Sequence, residues 1–155
     1  RMVQAGELFF QRFASLAPDF ILTVETKGIP LALMTARAFN IPLVIARQGN
    51  KVTEGSAVSI NYLTGSARRI QTMSMSRRAL PSGAKVLVID DFMKAGGTAR
   101  GLIDLASEVG ARVVGTGVLI ATAQPEAKLV EDYTALLVLH KIDEIRKQID
   151  IQPAG

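Results

Sequence analysis

The 155-residue sequence contains no cysteine and no tryptophan. Disulfide staples and cysteine zinc ribbons are therefore excluded. Its single histidine, His140, cannot build a His-rich metal cluster, and it leaves no spare for a Ser-His-Asp triad. Aromatic residues make up only 5% and charged residues 21%. No apolar run approaches the roughly 20 residues that span a bilayer, and no basic-apolar-small leader opens the chain. These absences read as a cytoplasmic protein with no membrane partner. What is present is an apolar majority phase: 48% hydrophobic residues and a mean hydropathy of +0.27. That composition suits one compact domain over residues 1–155 with a well-filled core, and rules out a disordered tail. The chain begins at Arg1 rather than Met, which suggests a piece of something longer.

A formal charge of +4 conceals an asymmetry between the two halves. Residues 1–80 carry ten Lys/Arg against four acids, whereas residues 81–155 carry eight against ten. The first half can therefore face phosphates. Only Arg68-Arg69 and Arg77-Arg78 are paired cations, and the rest are scattered as solvated surface charge usually is.

Periodicity gives an alternating order of elements. Apolar residues at Met2, Val3, Leu8, Phe9, Phe13 and Leu16 predict a helix that ends before Pro18. Phe9 and Phe10 are adjacent and point about 100° apart, so one helical face cannot bury both, which predicts a partner chain and a homodimer. Phe20 to Glu25 reads as a strand, Pro30 opens a helix running to about Ala38, and Pro42 to Ala46 is the next strand. Strand, helix and strand at that spacing imply a parallel pair with a crossover. Residues 47–82 are rich in Gly, Ser, Thr and Arg. Alternation at Val52, Val58, Ile60 and Tyr62, and again at Ile70, Thr72 and Ser74, predicts a hairpin turning at Thr64-Gly65-Ser66. Read as polar on both faces, it is expected to project from the core as a mobile flap. Further strands are predicted at Lys85 to Ile89, Arg112 to Ala121 and Thr134 to His140, with a helix from Gly97 to Val109 closed by Gly110.

The most informative stretch is Val86 to Thr98, VLVIDDFMKAGGT. Four apolar residues make a buried strand, and Asp90-Asp91 leave it at its carboxyl end, the edge where open α/β sheets bind ligands. Ala95-Gly96-Gly97-Thr98 then turns directly into a helix, so backbone N–H groups and a Thr hydroxyl converge on an anion at the positive helix end. Two carboxylates cannot hold a phosphate; they accept hydrogen bonds from vicinal hydroxyls, and can steady a divalent metal held between those hydroxyls and a second phosphate. Helix-capping carboxylates beside an ordinary turn are the bland alternative, but a cap needs one acid rather than two and no successive glycines. Glu25-Thr26-Lys27-Gly28 adds a hydroxyl, a cation and a glycine that allows close backbone approach, a set that suits a diphosphate and that a plain β-turn also fits.

Val86 to Thr98 closely resembles the phosphoribosyl pyrophosphate (PRPP) motif of type I phosphoribosyltransferases. Its form DDFMKAGGT resembles the regulatory branch of that fold, the purine operon repressors of Gram-positive bacteria. The likeness runs through the chain: Val24 to Ile29 resembles the pyrophosphate loop, Ser59 to Tyr62 through Met73-Ser74 the flexible loop, and Leu136 to Ile149 the repressor C-terminus. The resemblance implies a type I phosphoribosyltransferase-like fold, a mostly parallel sheet flanked by helices with an inserted flexible β-hairpin. It implies PRPP binding by Asp90, Asp91, Phe92, Met93, Lys94, Ala95, Gly96, Gly97 and Thr98, a pyrophosphate loop of Glu25, Thr26, Lys27 and Gly28, and flexible-loop contacts from Tyr62, Arg69 and Ser74. Magnesium would arrive with the PRPP and take no direct protein ligand. The same pocket in such repressors also accepts guanosine tetraphosphate, and operator DNA is held by an N-terminal winged helix that would precede Arg1.

Two positions separate regulator from enzyme. Enzymes of this fold usually carry Thr or Ser where this chain has Ala95, and hypoxanthine-type members carry an Asp where it has Lys94. An ammonium beside a glycosidic carbon gaining positive charge opposes an oxocarbenium-like transition state. The sequence therefore reads as a non-catalytic effector domain. The alternative is a competent purine phosphoribosyltransferase of xanthine or adenine type. A free-standing nucleic-acid-binding module ranks third, because two Tyr and no Trp give little to stack on bases.

Overall fold

The computed structural model describes residues 1–49, 56–64, 69–143 and 148–154, with side chains described outside 141–151. Eight strands form one sheet in the order β3-β4-β2-β1-β5-β6-β7-β8. The strands are β1 (Phe20–Val24), β2 (Leu43–Gln48), β3 (Ala57–Leu63), β4 (Ile70–Ser76), β5 (Lys85–Met93), β6 (Arg112–Thr122), β7 (Thr134–Asp143) and β8 (Gln148–Pro153). The middle five, β2-β1-β5-β6-β7, run parallel, while β4 joins β2, β3 joins β4 and β8 joins β7 antiparallel.

Parallel strands need cover on both faces, and the helices supply it. Helices α1 (Met2–Phe13) and α2 (Ile29–Phe39) lie on one face, where Phe9, Phe13, Leu31 and Ala32 pack on Ile21, Leu87 and Ile89. Helix α3 (Gly97–Glu108) covers the other, where Leu102, Leu105 and Ala106 meet Leu22, Val24, Val86 and Val88. Alternate residues of VLVI thus feed two cores, which is why that run is uniformly apolar. Pro30 sits in the first turn of α2, and Asn40 ends that helix in the left-handed region at φ 57°. The adjacent phenylalanines divide as their 100° offset requires: Phe9 is fully buried, whereas Phe10 is 39% exposed and meets Phe39 edge-on at 4.9 Å. His140 lies exposed near the end of the β7 ladder. Among the described residues no helix is long and apolar enough to cross a membrane.

The hairpin is where expectation and structure part. Its two strands pair from Ala57↔Ser76 to Leu63↔Ile70 as predicted, although Gly65, Ser66 and Arg68 at its turn lie outside the described residues, as does Val52. It does not project from the core. Val58, Tyr62, Met73 and Met75 are buried with the α3-side core, and β4 continues the sheet through Arg47↔Ser74 and Gln48↔Met73. The inward phase of β4 is the methionine phase, one residue out of step with Ile70, Thr72 and Ser74, and a one-residue slip exchanges the faces of a strand. Strand β5 also exceeds its predicted end at Ile89 and carries the acids inside the strand to Met93.

The hairpin reaches α3 because α3 presents glycine to it. A Cβ on Gly97 would collide with the Leu63 carbonyl, and one on Gly101 would stand 2.9 Å from Tyr62 Cβ and 3.0 Å from Met73 Cε. The Leu63 carbonyl belongs to a paired strand and cannot turn aside. Gly97→Ala is therefore expected to destabilise the domain by about 1 to 3 kcal/mol, the usual cost of overpacking. Urea denaturation measures this; an unchanged midpoint would show that the hairpin yields freely.

Candidate functional site

The parallel order reverses between β1 and β5. From β1 the chain crosses through α2 to β2 on one side, and from β5 it crosses through α3 to β6 on the other, with the two helices on opposite faces. Connections diverging in this way open a crevice beyond the carboxyl ends of the two strands, the ligand site of open α/β sheets. The ladder between β1 and β5 stops at Leu22↔Val88, whereas β5 stays paired with β6 as far as Met93↔Ala121. Asp90 and Asp91 therefore lie beyond the β1 ladder on a strand still held firmly from its other side.

Val24, Glu25, Thr26, Lys27, Gly28, Gln48, Asp90, Asp91, Phe92 and Thr98 enclose a cleft of about 440 Å³ here. A groove of about 730 Å³ beside α1 and β7 is larger, but it lies away from the strand ends that bring the acids and the anion-binding turns together. Within the cleft, Thr26 and Lys27 are exposed while Gly28 is buried. Glycine at 28 permits the close approach, since a Cβ would lie 2.9 Å from both Asp90 Oδ1 and Thr23 Oγ1 and would force one side to shift. The close approach sets the Thr26-Lys27 turn directly opposite the acids. Glu25 serves as a tie: Oε1 accepts the Gln48 N–H at 2.8 Å, and Oε2 lies 3.7 Å from Arg47. These bonds fasten the turn after β1 to the end of β2.

Asp90 is 6% exposed, and its Oδ1 accepts the Asp91 N–H at 2.9 Å. Burial, reinforced by the neighbouring Asp91 carboxyl, pushes the Asp90 carboxyl up to about 8. Phe92 is 42% exposed and forms part of the cleft wall. Thr98 stands in the first turn of α3, whose positive end faces the same space. One end of the cleft thus accepts hydroxyl donors, while a cation, hydroxyls and a helix N-terminus receive anions.

Other predicted site residues stand apart from the cleft. The Met93 side chain is buried with Val118 and Ala121. Lys94, Ala95, Gly96 and Gly97 shape the turn behind the wall, with Gly96 left-handed at φ 93°. That turn is backed by a loop that sequence reasoning missed. Leu129 N–H donates to the Ala95 carbonyl at 2.8 Å, and Lys128 Nζ donates to the Thr122 carbonyl and hydroxyl at 2.7 and 3.2 Å. Burial lowers the Lys128 ammonium. Tyr62 donates to Gln71 Oε1 at 3.2 Å and lines a separate apolar cavity with Leu63, Gly97 and Leu129. Burial and then the charge of Asp90 raise its phenol. Ser74 is buried and donates to the Gly49 carbonyl at 2.6 Å, and Arg69 is exposed on the hairpin. Gln48 was also missed, although it ends a parallel strand at the edge where such sites form.

The raised carboxyl fixes a pH dependence. Asp90 keeps its proton in the folded chain up to about pH 8, whereas an unfolded aspartic acid loses it near 3.9. Between these values the folded state binds more protons, so the ligand-free domain loses stability as pH rises through that window. Urea midpoints at pH 5 and pH 8 should show the fall, and Asp90→Asn should flatten it; an equally steep fall in the variant would assign it to another group.

Comparison with known proteins agrees with this fold. The model of the phosphoribosyl transferase domain family matches residues 3–153. The purine biosynthesis transcriptional repressor PurR of Bacillus subtilis is 51% identical over 96% of the chain and 52% of its own length. A xanthine phosphoribosyltransferase of Streptococcus pyogenes is 31% identical over 85% of the chain and 70% of its own length. Among solved structures, APRTase from Giardia lamblia complexed with 9-deazaadenine superposes with a TM-score of 0.81 at 16% identity, covering 90% of this chain and 80% of that one; at that identity the likeness speaks for the fold. The chain spans about half the length of the curated purine regulators it matches. With its sheet order, its crevice between β1 and β5 and a family match over residues 3–153, the chain belongs to the phosphoribosyl transferase domain family and is similar within it to the purine biosynthesis regulators.

Proposed function

We propose that this domain is the effector-sensing part of a transcriptional regulator of purine biosynthesis genes, and that it binds PRPP together with Mg²⁺. The observation that carries the reading is the cleft in which Asp90 and Asp91 face the Thr26-Lys27-Gly28 turn and Thr98. The acids take the ribose hydroxyls, the turn after β1 takes the diphosphate, and the start of α3 takes the 5-phosphate. Among the described residues no three His, Cys, Asp or Glu side chains gather around one point. The paired acids suit a metal ion that draws its ligands chiefly from the diphosphate and ribose and is steadied from the protein side. A guanosine tetraphosphate presents diphosphates on a ribose and competes for the same groups. Operator DNA falls to another part of the full protein, and control of transcription follows from occupancy of this cleft.

Regulation rather than catalysis is supported by the turn after the acids. Neither Lys94 nor Ala95 lines the cleft, and neither offers the acid or hydroxyl that the resemblance assigns to enzymes there. The likeness to a xanthine phosphoribosyltransferase keeps transfer as the second reading. One set of titrations separates them. Calorimetry should show PRPP uptake that requires Mg²⁺, and replacing both Asp90 and Asp91 by Ala should weaken it by at least about tenfold, since each charge-assisted bond is worth about 1.5 to 3 kcal/mol. Incubation with adenine, guanine, hypoxanthine or xanthine should yield no nucleotide. Turnover near an enzyme-like rate of about 10 per second would replace regulator with enzyme, and unchanged binding by the double variant would remove the site.

We further propose a homodimer whose contact includes the exposed side of α1. Val3 and Phe10, seven positions apart and so on one flank of the helix, remain 56% and 39% exposed there, apolar surface that a partner helix would cover. Sedimentation at micromolar concentration should report a dimer, and Phe10→Glu should dissociate it; a wild-type monomer would refute the assembly.

A further inference from the structure

Thr23, the penultimate residue of β1, is fully buried, and its Oγ1 is the buried side-chain polar atom that finds no hydrogen-bond partner among the described residues. Other buried groups of its kind are satisfied: Thr35 donates to the Leu31 carbonyl at 2.8 Å and Ser74 to the Gly49 carbonyl at 2.6 Å. An unpaired buried hydroxyl costs stability, so its presence asks for a reason. Its position supplies one. Thr23 Oγ1 and Asp90 Oδ1 press on the same side of Gly28, each 2.9 Å from the point where a Cβ would stand. The orphan donor therefore lies beside the one buried carboxyl of the cleft, across a residue that has no side chain to separate them.

We infer that Thr23 is a positioning residue of the ligand-bound state: once hydroxyls of the ligand engage Asp90, the Thr23 hydroxyl turns past Gly28 to donate to the Asp90 carboxylate and holds it ionised and oriented. The inference rests on the effector-domain reading and deepens it. A buried carboxylate has lone pairs for several donors, and in the structure Asp90 Oδ1 accepts one backbone N–H. A ligand that favours the charged form of Asp90 raises the demand for a second buried donor, and Thr23 is a buried hydroxyl already placed beside it. The same hydroxyl is a cost to the ligand-free fold and a gain to the complex, and those two effects have opposite signs in a single substitution.

Thr23→Val keeps the shape and removes the hydroxyl. In the full 155-residue chain it is expected to melt at or above the wild-type temperature while binding PRPP with Mg²⁺ about fivefold or more weakly by calorimetry. Thr23→Ser, which restores the donor, should bind within about twofold of wild type. Unchanged affinity in Thr23→Val overturns the inference. So does weakened binding accompanied by a lower melting temperature that Thr23→Ser fails to correct, because that pattern marks a packing role. If the wild type binds no PRPP under these conditions, the effector-domain reading falls and this inference falls with it; binding by wild type with equal binding by Thr23→Val removes this inference alone.

Discussion

A carboxyl group held out of water at the open end of a parallel sheet is the constraint that orders the rest of this domain. Asp90 can be buried because β5 continues past β1 while β6 still pairs with it, so the strand delivers the acid into a crevice with one side uncovered. That crevice exists because VLVI demands cover on both faces, and right-handed crossovers meet the demand only by sending α2 and α3 to opposite sides. Gly28 then lets the start of α2 come against the Asp90 carboxyl and brings Thr26 and Lys27 opposite it. A Cβ at Gly28 would press on the Asp90 carboxyl and the Thr23 hydroxyl at 2.9 Å, so the two halves of the cleft share one point of contact.

A second close approach ties the hairpin to the same region. Gly97 meets the Leu63 carbonyl from one side of the first turn of α3, while its neighbour Thr98 faces the cleft from the other. Adjacent residues of one helical turn therefore touch both the hairpin and the candidate ligand space. The two-residue ladder between β4 and β2 adds little hold of its own, and the hairpin stays in place chiefly through the apolar packing of Val58, Tyr62, Met73 and Met75. A displacement at the start of α3 is passed to the hairpin through backbone contact, with no long side chain to absorb it.

Much of this was legible in the sequence because it depends on residue types with few alternatives. A four-residue apolar strand ending in two acids and followed by two glycines admits few environments, and it located both the crevice and the start of α3. The turn Glu25 to Gly28 was legible as composition, but the role of Glu25 was not. A carboxylate in a turn expected to receive a diphosphate looks unfavourable until the Gln48 N–H and Arg47 are seen to hold it. The hairpin was misjudged because methionine carries a weak strand signature, so Thr72 and Ser74 set the apparent alternation while Met73 and Met75 set the real one. Lys128 and Thr23 were beyond reach for a different reason. Each is defined by a contact or a missing contact with residues distant in the chain, and local spacing holds no record of either.

Binding and catalysis make different demands on a cleft of this kind, and Lys94 and Ala95 bear on which demand was met. An effector pocket needs complementarity to the ground state of its ligand, which paired acids, the Thr26-Lys27-Gly28 turn and a helix N-terminus would provide without further chemistry. A transferase needs groups that interact more strongly with the transition state than with the substrate. In phosphoribosyl transfer the glycosidic carbon gains positive charge as the diphosphate leaves, so an acid or hydroxyl near the departing bond helps, and neither Lys94 nor Ala95 offers one to the cleft. On the proposed effector-domain reading, these features leave ground-state recognition in place while withholding differential stabilisation, the combination expected of a domain that reports the presence of a phosphorylated sugar without consuming it.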